Sequence, residues 1–579
     1  MVTTSLTDQY EPIQRPAAED PYAKRDVIYR RWGALKAERA SWDTEARELA
    51  RFLMPRAGRF TTSDRNRGEP RNSSIYDNTP LKAVRTLAAG MMSGMTSPAR
   101  PWFRLKTPDE EMMAYEPVKI WCSDVTRLLL DVFAKSNVYR ALHQAYGELA
   151  VFGTHSTILQ PDFDNVIHAT SLTWGEYCIA ADGKGKVNTL YREFDMTADQ
   201  MVREFGLENV SGQVSRAWAR GSYDDWFTVV HAIEPRADRD PTKVDPMNME
   251  YRSIYFEQGQ QRGQYLRESG YRRFNALCPR WQVTGGDIYG DSPGMEALGD
   301  AKQLQHEQLR KAQAIDYQTK PPVGLPSLTK GQEANLLPGG VTYMDMTGGV
   351  GQRQLFDVKL DLNALLMDIG DVRGRINSAM YADLFLMLSN IDASSSRMTA
   401  TEVAERHEEK LLMLGPVLER LHNELLDPLV DMTFEELAAA GALPPPPQEL
   451  EGVPLNVELV SMLAQAQRAV QTNGIDRFLV GVGSVMQLGK VDVADKVDGD
   501  ALVEIYGDSL GVDPRILLDD DKVAAVRQAR AQQQEAAMQA AQGSAVAQGA
   551  AELSKVSTQG GASNAGADFI NQVSGYTGV

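Results

Sequence analysis

The chain has little cysteine, little histidine, no surplus of positive charge and no long apolar run, and each shortage closes off a class of function. Its three cysteines, Cys122, Cys178 and Cys278, are odd in number and far apart, which argues against a disulfide framework and for buried thiols in a reducing compartment. Seven histidines, scattered singly, form no ligand cluster at metal-site spacing with them. Lysine and arginine number 60 against 78 aspartates and glutamates, a net charge of −18, so the surface as a whole repels a phosphate backbone and a high-affinity static DNA binder is disfavoured. No uncharged apolar run approaches the ~20 residues that span a bilayer. The N-terminal Met1-Val-Thr-Thr-Ser-Leu-Thr-Asp8 lacks the basic and apolar regions of a signal peptide, so no direct membrane insertion is expected. A P-loop, a G-x-S-x-G elbow, paired C-x-x-C units and H-E-x-x-H are all missing. Gly481-Val-Gly-Ser-Val comes nearest to a dinucleotide fingerprint and lacks its third glycine, while His407-Glu408 has Leu411 where a zinc protease needs a second histidine. The chain therefore reads as no enzyme, with no cofactor and no metal, and least of all as a nucleotide-driven motor.

What is present is a long α+β chain, predominantly α-helical. At 579 residues, 43% of them hydrophobic, it exceeds a single core and should divide into roughly two to four domains. Residues 1–25, with several prolines and no periodicity, read as a flexible arm. Ile28, Trp32, Leu35, Trp42, Ala46, Leu49 and Leu53 then form one stripe, broken at Arg39, on a helix that Pro55 stops. The basic stretch from Arg56 to Arg71 reads as a solvated loop ahead of a nucleic-acid contact, since little aromatic interleaving is available for base stacking. Helical patterning returns over about 120–150. Ser156-Thr-Ile-Leu, Val187-Asn-Thr-Leu-Tyr and Trp226-Phe-Thr-Val-Val-His are then strand-like, and Asp182-Gly-Lys-Gly-Lys joins two strands as a hairpin turn.

From Ser292, an N-cap followed by Pro293, a helix should run to Thr319. Gln303, Gln305, Gln308, Gln313 and Gln318 share it with Lys302, His306, Arg310 and Lys311, leaving a thin stripe of Met295, Leu298, Leu309 and Ala312. Such a rod, ~40 Å long at 1.5 Å per residue, cannot bury itself against a core and should either bridge two domains or stand beside other rods, a requirement that copies of itself around a water-filled channel would satisfy. Lys320-Pro-Pro-Val-Gly-Leu-Pro ends it, a Gly-rich strand-like module follows to about 358, and Leu362, Leu365, Leu366, Ile369, Val372 and Ile376 return to helical spacing. Beyond a serine-rich loop, Thr399 with Glu402 forms a capping box. Ala404, His407, Leu411, Leu414, Leu418, Leu421 and Leu425 then repeat at three and four, with Gly415-Pro416 predicting a kink. His407 on this stripe reads as a packed histidine. A proline linker at 444–447 precedes a helical set at about 457–512 and a helix over 515–541, in whose first turn Asp519-Asp-Asp reads as helix-start acids ahead of a metal site. The tail, 543–579, is rich in Gly, Ala, Ser and Gln and should be disordered or weakly helical.

Several stretches resemble, in order, the head-to-tail connector or portal family of short-tailed (podovirus) bacteriophages. They are Ser74-Ile-Tyr-Asp-Asn-Thr-Pro leading through Ala88-Ala-Gly-Met-Met-Ser-Gly-Met-Thr-Ser-Pro-Ala-Arg-Pro-Trp-Phe-Arg-Leu, then Lys320-Pro-Pro-Val, Met398-Thr-Ala-Thr-Glu-Val, Leu414-Gly-Pro-Val-Leu-Glu-Arg-Leu and Leu463-Ala-Gln-Ala-Gln. The resemblance covers about 25–535 and implies a dodecameric ring at one capsid vertex, serving DNA packaging, retention and ejection. It implies a wing at 26–291, helical over 26–150 and β-rich over 150–285, and stem helices at 292–319 and 360–382. A clip at 320–359, a tunnel loop at 383–398, a long kinked helix at 399–442 and a helical crown at 455–535 complete the layout. Lys302, Arg310 and Lys311 would then touch the phosphates of double-stranded DNA passing non-specifically, or pair between subunits with Glu296 or Asp316. Asn390, Ser394, Ser395, Ser396 and Arg397 would belong to the tunnel loop, and Pro321, Pro322, Val323, Leu337 and Tyr343 to a docking surface. The implied partners are further copies of the chain, terminase, tail or adaptor proteins, and major capsid and scaffolding proteins, in the virion and, during assembly, the host cytoplasm. Another head-tail adaptor or tail ring component is the main alternative, and a packaging nuclease the more distant one.

Overall fold

The stripe read from Ile28 to Leu53 lies on helix α1 (Pro21–Leu53), and in the computed structural model of the chain its apolar face is spent on a sheet. The structure describes residues 21–60, 70–109, 112–113, 115–259, 265–326, 335–344, 353–355, 363–389, 414–450, 452–460, 475, 478–484, 497–510 and 522–538. They fall into two compact units, Met1–Pro108 with Trp121–Ala494, and Asp109–Ile120 with Asp495–Val579. Helix α1 begins inside the stretch read as an arm. It extends that far because Arg25 is buried and donates to the Glu257 carbonyl at 2.9 Å, a tertiary anchor that no local periodicity reveals.

In the larger unit, strands β4 (Tyr177–Ala181), β5 (Val187–Thr197), β6 (Trp226–Pro235), β7 (Tyr251–Glu257) and β8 (Arg267–Tyr271) form one antiparallel sheet in sequence order. The period of two divides its residues cleanly. Val230, Ala232, Ile254 and Phe256 meet Ile28, Trp32 and Leu35 of α1 on one face. Val229 and Tyr255 meet Met201, Phe205 and Val214 of the short helices α5 (Ala198–Phe205) and α6 (Gly212–Ala219) on the other. The apparent gap in the α1 stripe is Arg39, itself buried, whose Nη1 donates to the Tyr177 carbonyl at 2.6 Å and the Gly175 carbonyl at 3.1 Å. An arginine there serves the sheet edge instead of interrupting the stripe. The β4–β5 connection is the hairpin expected at Asp182, with Gly185 at φ 79° and the Asp182 Oδ1 accepting the Lys184 and Lys186 amides at 2.9 Å.

Strands β2 (Ser156–Asp162), β3 (Val166–Leu172) and β9 (Ala276–Leu277) make a second antiparallel sheet in the order β3-β2-β9. The helices α2 (Thr79–Met95), α3 (Glu116–Lys135) and α4 (Val138–Phe152) precede these sheets in the chain. Helix α4 ends at Gly153 in the left-handed conformation, φ 70°, where a Cβ would meet the Gly290 carbonyl at 2.1 Å, so only glycine fits.

One element departs from the helical crown expected at 455–535. Residues Asn456–Leu459 form strand β13, antiparallel to β1 (Phe103–Lys106), with Arg104 opposite Glu458. A four-residue strand has no helix-length signal to lose, and its partner lies far away in sequence. In the smaller unit, α12 (Gly499–Leu510) and the helix at 522–538 are joined by Arg527 to Asp500 at 2.7 Å.

Candidate channel helices and docking module

Helix α7 (Pro293–Thr319) starts where the sequence places it. The Ser292 hydroxyl accepts the Met295 amide at 3.1 Å and donates to the Val151 carbonyl at 2.7 Å, which caps the helix and ties it to α4 together. Its first half is not the unburied rod expected from composition. Ala297, Leu298, Ala301, Leu304 and even Gln305 are buried within this chain. Small residues let neighbours approach, and each polar atom of Gln305 finds a backbone partner. Its Oε1 accepts the amides of Tyr76 and Asp77 at 2.7 and 2.8 Å, and its Nε2 donates to the Asp77 carbonyl at 2.9 Å. From Arg310 onward no side chain of α7 is buried.

Helix α8 (Asn363–Ala379) repeats the division in reverse order. Ile369, Val372 and Ile376 are buried toward its end, whereas Leu366 and Met367 near its start are 45% and 77% exposed. Arg375 joins the pair by reaching Asp300 at 3.1 Å and Gln303 at 3.3 Å. The firmest tie runs through Asp77. Its Oδ2 accepts Arg373 Nη2 at 2.7 Å and Gln308 Nε2 at 2.8 Å, while Oδ1 accepts the Thr79 hydroxyl and amide at 2.6 and 2.9 Å. Burial pushes the Asp77 carboxyl up, but the Thr79 bonds and then Arg373 outweigh it and hold the group below its ordinary range.

Between the two helices the chain forms a three-stranded sheet, with β10 (Val323–Pro326) central, β11 (Val341–Met344) parallel to it and β12 (Arg353–Gln354) antiparallel. Of the residues expected to dock partners, Pro322 is buried and its carbonyl accepts the Leu355 amide at 3.0 Å, while Pro321 and Val323 are half-buried. Leu337 and Tyr343 are 68% and 44% exposed, next to Leu336 and Val341, which are also exposed. The module therefore holds itself by backbone pairing and shows apolar side chains outward.

The three cations picked for DNA separate. Lys302 is ion-paired to Glu48 of α1. Arg310 is exposed and Lys311 half-buried, and neither has a hydrogen-bond or ion-pair partner among the described residues. Asn390, Ser394, Ser395, Ser396 and Arg397 lie outside the described residues, as do the capping box at Thr399 and His407. The first part of the stretch read as a tunnel loop is helix α9 (Ala382–Ser389), whose Phe385 packs so closely on Gly90 of α2 that a Cβ there would lie 2.1 Å from its ring.

The heptad region continues as α10 (Gly415–Leu421), a π-helical turn over His422–Leu426 and α11 (Asp427–Ala439). Pro428 cannot supply an amide to the turn before it, and the Asp427 amide reaches back to the His422 carbonyl, widening the helix by one residue. That turn presents Glu424 to the buried Arg280, with contacts of 2.6 Å to Nη2 and 2.9 Å to the backbone amide.

Sequence reasoning missed Asp77, Arg373 and the Arg280–Glu424 pair as organising residues. The one available signal was local: Asp77-Asn-Thr-Pro has the form of a capped helix start. Burial pushes the thiols of Cys122 and Cys178 up to about 11 and that of Cys278 up to about 12, so all three stay protonated and inert. Among the described residues no group of His, Cys, Asp and Glu is placed to hold a metal ion, and no helix is long and apolar enough to cross a membrane.

A body of sheets and helices thus carries a helix pair, half buried and half bare, with a small apolar-faced sheet inserted between the two. The family of bacteriophage head to tail connecting proteins matches residues 25–517, and the chain belongs to that family. It is 57% identical over 557 residues to the probable portal protein of Bordetella phage BPP-1, covering 96% of this chain and 99% of that one. It is 44% identical to the portal protein of Salmonella phage epsilon15, over 92% of this chain and 96% of that one. A more distant relative, the portal protein of Escherichia phage T7, is 23% identical over 72% of this chain and 75% of that one.

Proposed function

We propose that the chain is a portal subunit, a non-enzymatic structural protein that closes into a dodecameric ring at one capsid vertex and passes double-stranded DNA during packaging, retention and ejection. In this reading α7 and α8 are the stem, the β10–β12 module is the clip, the five-stranded sheet with α1 belongs to the wing, and the helices from 499 onward contribute to the crown. The observation that carries the reading is the division of the stem: the halves of α7 and α8 nearest the clip leave Ile315, Leu366 and Met367 39%, 45% and 77% exposed. Apolar side chains on a polar rod are stable beside copies of that rod. The exposed Leu337 and Tyr343 of the clip suit docking of terminase and then of tail or adaptor proteins. Major capsid and scaffolding proteins would surround the wing, and the assembled ring would reside in the virion, having formed in the host cytoplasm. A net charge of −18 on every subunit keeps the conduit from gripping DNA.

Electron microscopy of the purified full-length chain tests this directly. Monodisperse rings with a central hole are expected, and a persistent monomer under assembly conditions would overturn the reading.

A further inference from the structure

A closed ring of identical subunits needs two different, mutually complementary surfaces on each copy, because every head-to-tail contact joins one surface to the other. Two features outside the stem and clip fit each other in this way. At the tip of the β2–β3 hairpin, Phe163 is fully exposed, at 109% of its reference surface, between Asp162 and Asp164. The tip is built to hold it there. Asp162 accepts the Asp164 amide and the Asn165 side chain, both at 3.2 Å, and Val166 is held at φ 68°, a conformation that β-branched residues rarely adopt. The second feature is a cleft of about 180 Å³ formed by the segment between β6 and β7 and by the end of β8. Val244, Met249 and Pro241 are its apolar lining, and Arg239, Lys243, Arg272 and Asn248 line it together with a single acid, Glu250. Arg239 and Glu250 are 3.6 Å apart, and Lys243 is paired outside the lining with Asp240 at 3.5 Å.

We propose that Phe163 of one subunit seats in this cleft of the neighbouring copy. An aromatic ring flanked by two carboxylates complements a mostly polar cleft that three cations line, with Val244 and Met249 offering the ring apolar contact, and the guanidinium groups can lie over the ring face. The occupant is a second copy and not the same chain, since the ring of Phe163 stands in solvent within its own subunit. This inference rests on the ring-forming reading above, and makes the hairpin and cleft a second fastening on the outer body, separate from the stem.

The test is ring assembly of full-length protein by mass photometry across a concentration series. Phe163→Ala should raise the concentration needed for rings by about tenfold or more, with the melting temperature of the unassembled subunit unchanged, because an exposed side chain supports no core. Asp164→Arg and Arg272→Glu should each weaken assembly, and the double variant should recover most of the loss. If wild type forms rings and both Phe163→Ala and Asp164→Arg assemble like it, the inference is overturned. Loss of some other virion protein's binding in a normally assembling Phe163→Ala ring overturns it equally, because the knob then serves that protein. If wild type itself never forms rings, the portal reading fails first.

Discussion

Arg373, in the second helix of the pair, donates to the Asp77 carboxylate at 2.7 Å, and with Gln308 of the first helix donating to the same oxygen at 2.8 Å both helices are anchored to the loop before α2 at one acidic group. Every oxygen of that carboxylate is engaged, and the side chain is only 5% exposed. Asp77→Asn keeps the shape and removes the charge, and should lower stability by about 1–3 kcal/mol. The pH dependence has a definite sign. A carboxyl held below its ordinary 3.8 contributes fully above that pH and loses its contribution as pH falls through the lowered folded value. Calorimetric melts of wild type and variant should therefore differ at neutral pH and converge in acid; a constant difference would show that the charge is not what Asp77 supplies.

Glu458 makes the corresponding tie for the β1–β13 ribbon. Burial pushes it up, but Arg104 at 2.6 Å and then Lys106 at 3.0 Å bring its carboxyl down to about 2. Its contribution is present above 4.5 and fades as pH falls toward 2. Glu458→Gln should speed amide hydrogen exchange in 103–106 and 456–459 while leaving α4 protected, and lowering the pH of wild type toward 2 should produce the same local opening. Uniform faster exchange through the whole unit would contradict this assignment.

The π-helical turn before Pro428 earns its distortion at Arg280, whose side chain is 4% exposed and whose guanidinium and backbone amide both meet Glu424. Removing one partner of a buried pair leaves an uncompensated charge, so Glu424→Ala should cost about 3–5 kcal/mol. Pro428→Ala restores an amide and should let the helix return toward α geometry, turning Glu424 away and reproducing part of that loss. A Pro428→Ala protein more stable than wild type, as helix propensity alone would give, would refute the link.

Much of the scaffold was legible, and the exceptions share a cause. The α1 stripe, the Ser292 cap, the Asp182 hairpin and the module between two helices are local patterns, each decided by residues within a few positions of one another. The burial of the first half of α7 was not, because Ala297, Ala301 and Gln305 look polar or neutral until Tyr76, Asp77 and α8 are brought beside them. Arg39 reads as a break for the same reason: its partners at Gly175 and Tyr177 arrive from another element. Strand β13 needs β1 to exist at all. The site was legible as a helix pair with an inserted module, whereas the residues that fasten it lie far from it in sequence.

The structure also divides the three cations proposed to meet DNA. Lys302 is already committed to Glu48, both partly exposed, so Lys302→Ala should cost no more than ~1 kcal/mol and leave DNA handling unchanged. Arg310 and Lys311 lie on the half of α7 that the chain leaves bare, where a charge can serve a phosphate without first breaking an ion pair to a described residue. Reversing both, as Arg310→Glu with Lys311→Glu, should leave the melting temperature nearly unchanged. In the proposed ring, with these side chains on its inner wall, the same change adds repulsion toward DNA, so the nuclease-protected DNA retained per particle should fall, and more steeply at low salt because screening is weak there. Retention equal to wild type at low salt would move both residues out of the channel and return them to pairing between subunits, where Glu296 and Asp316 of neighbouring copies are the acids to test.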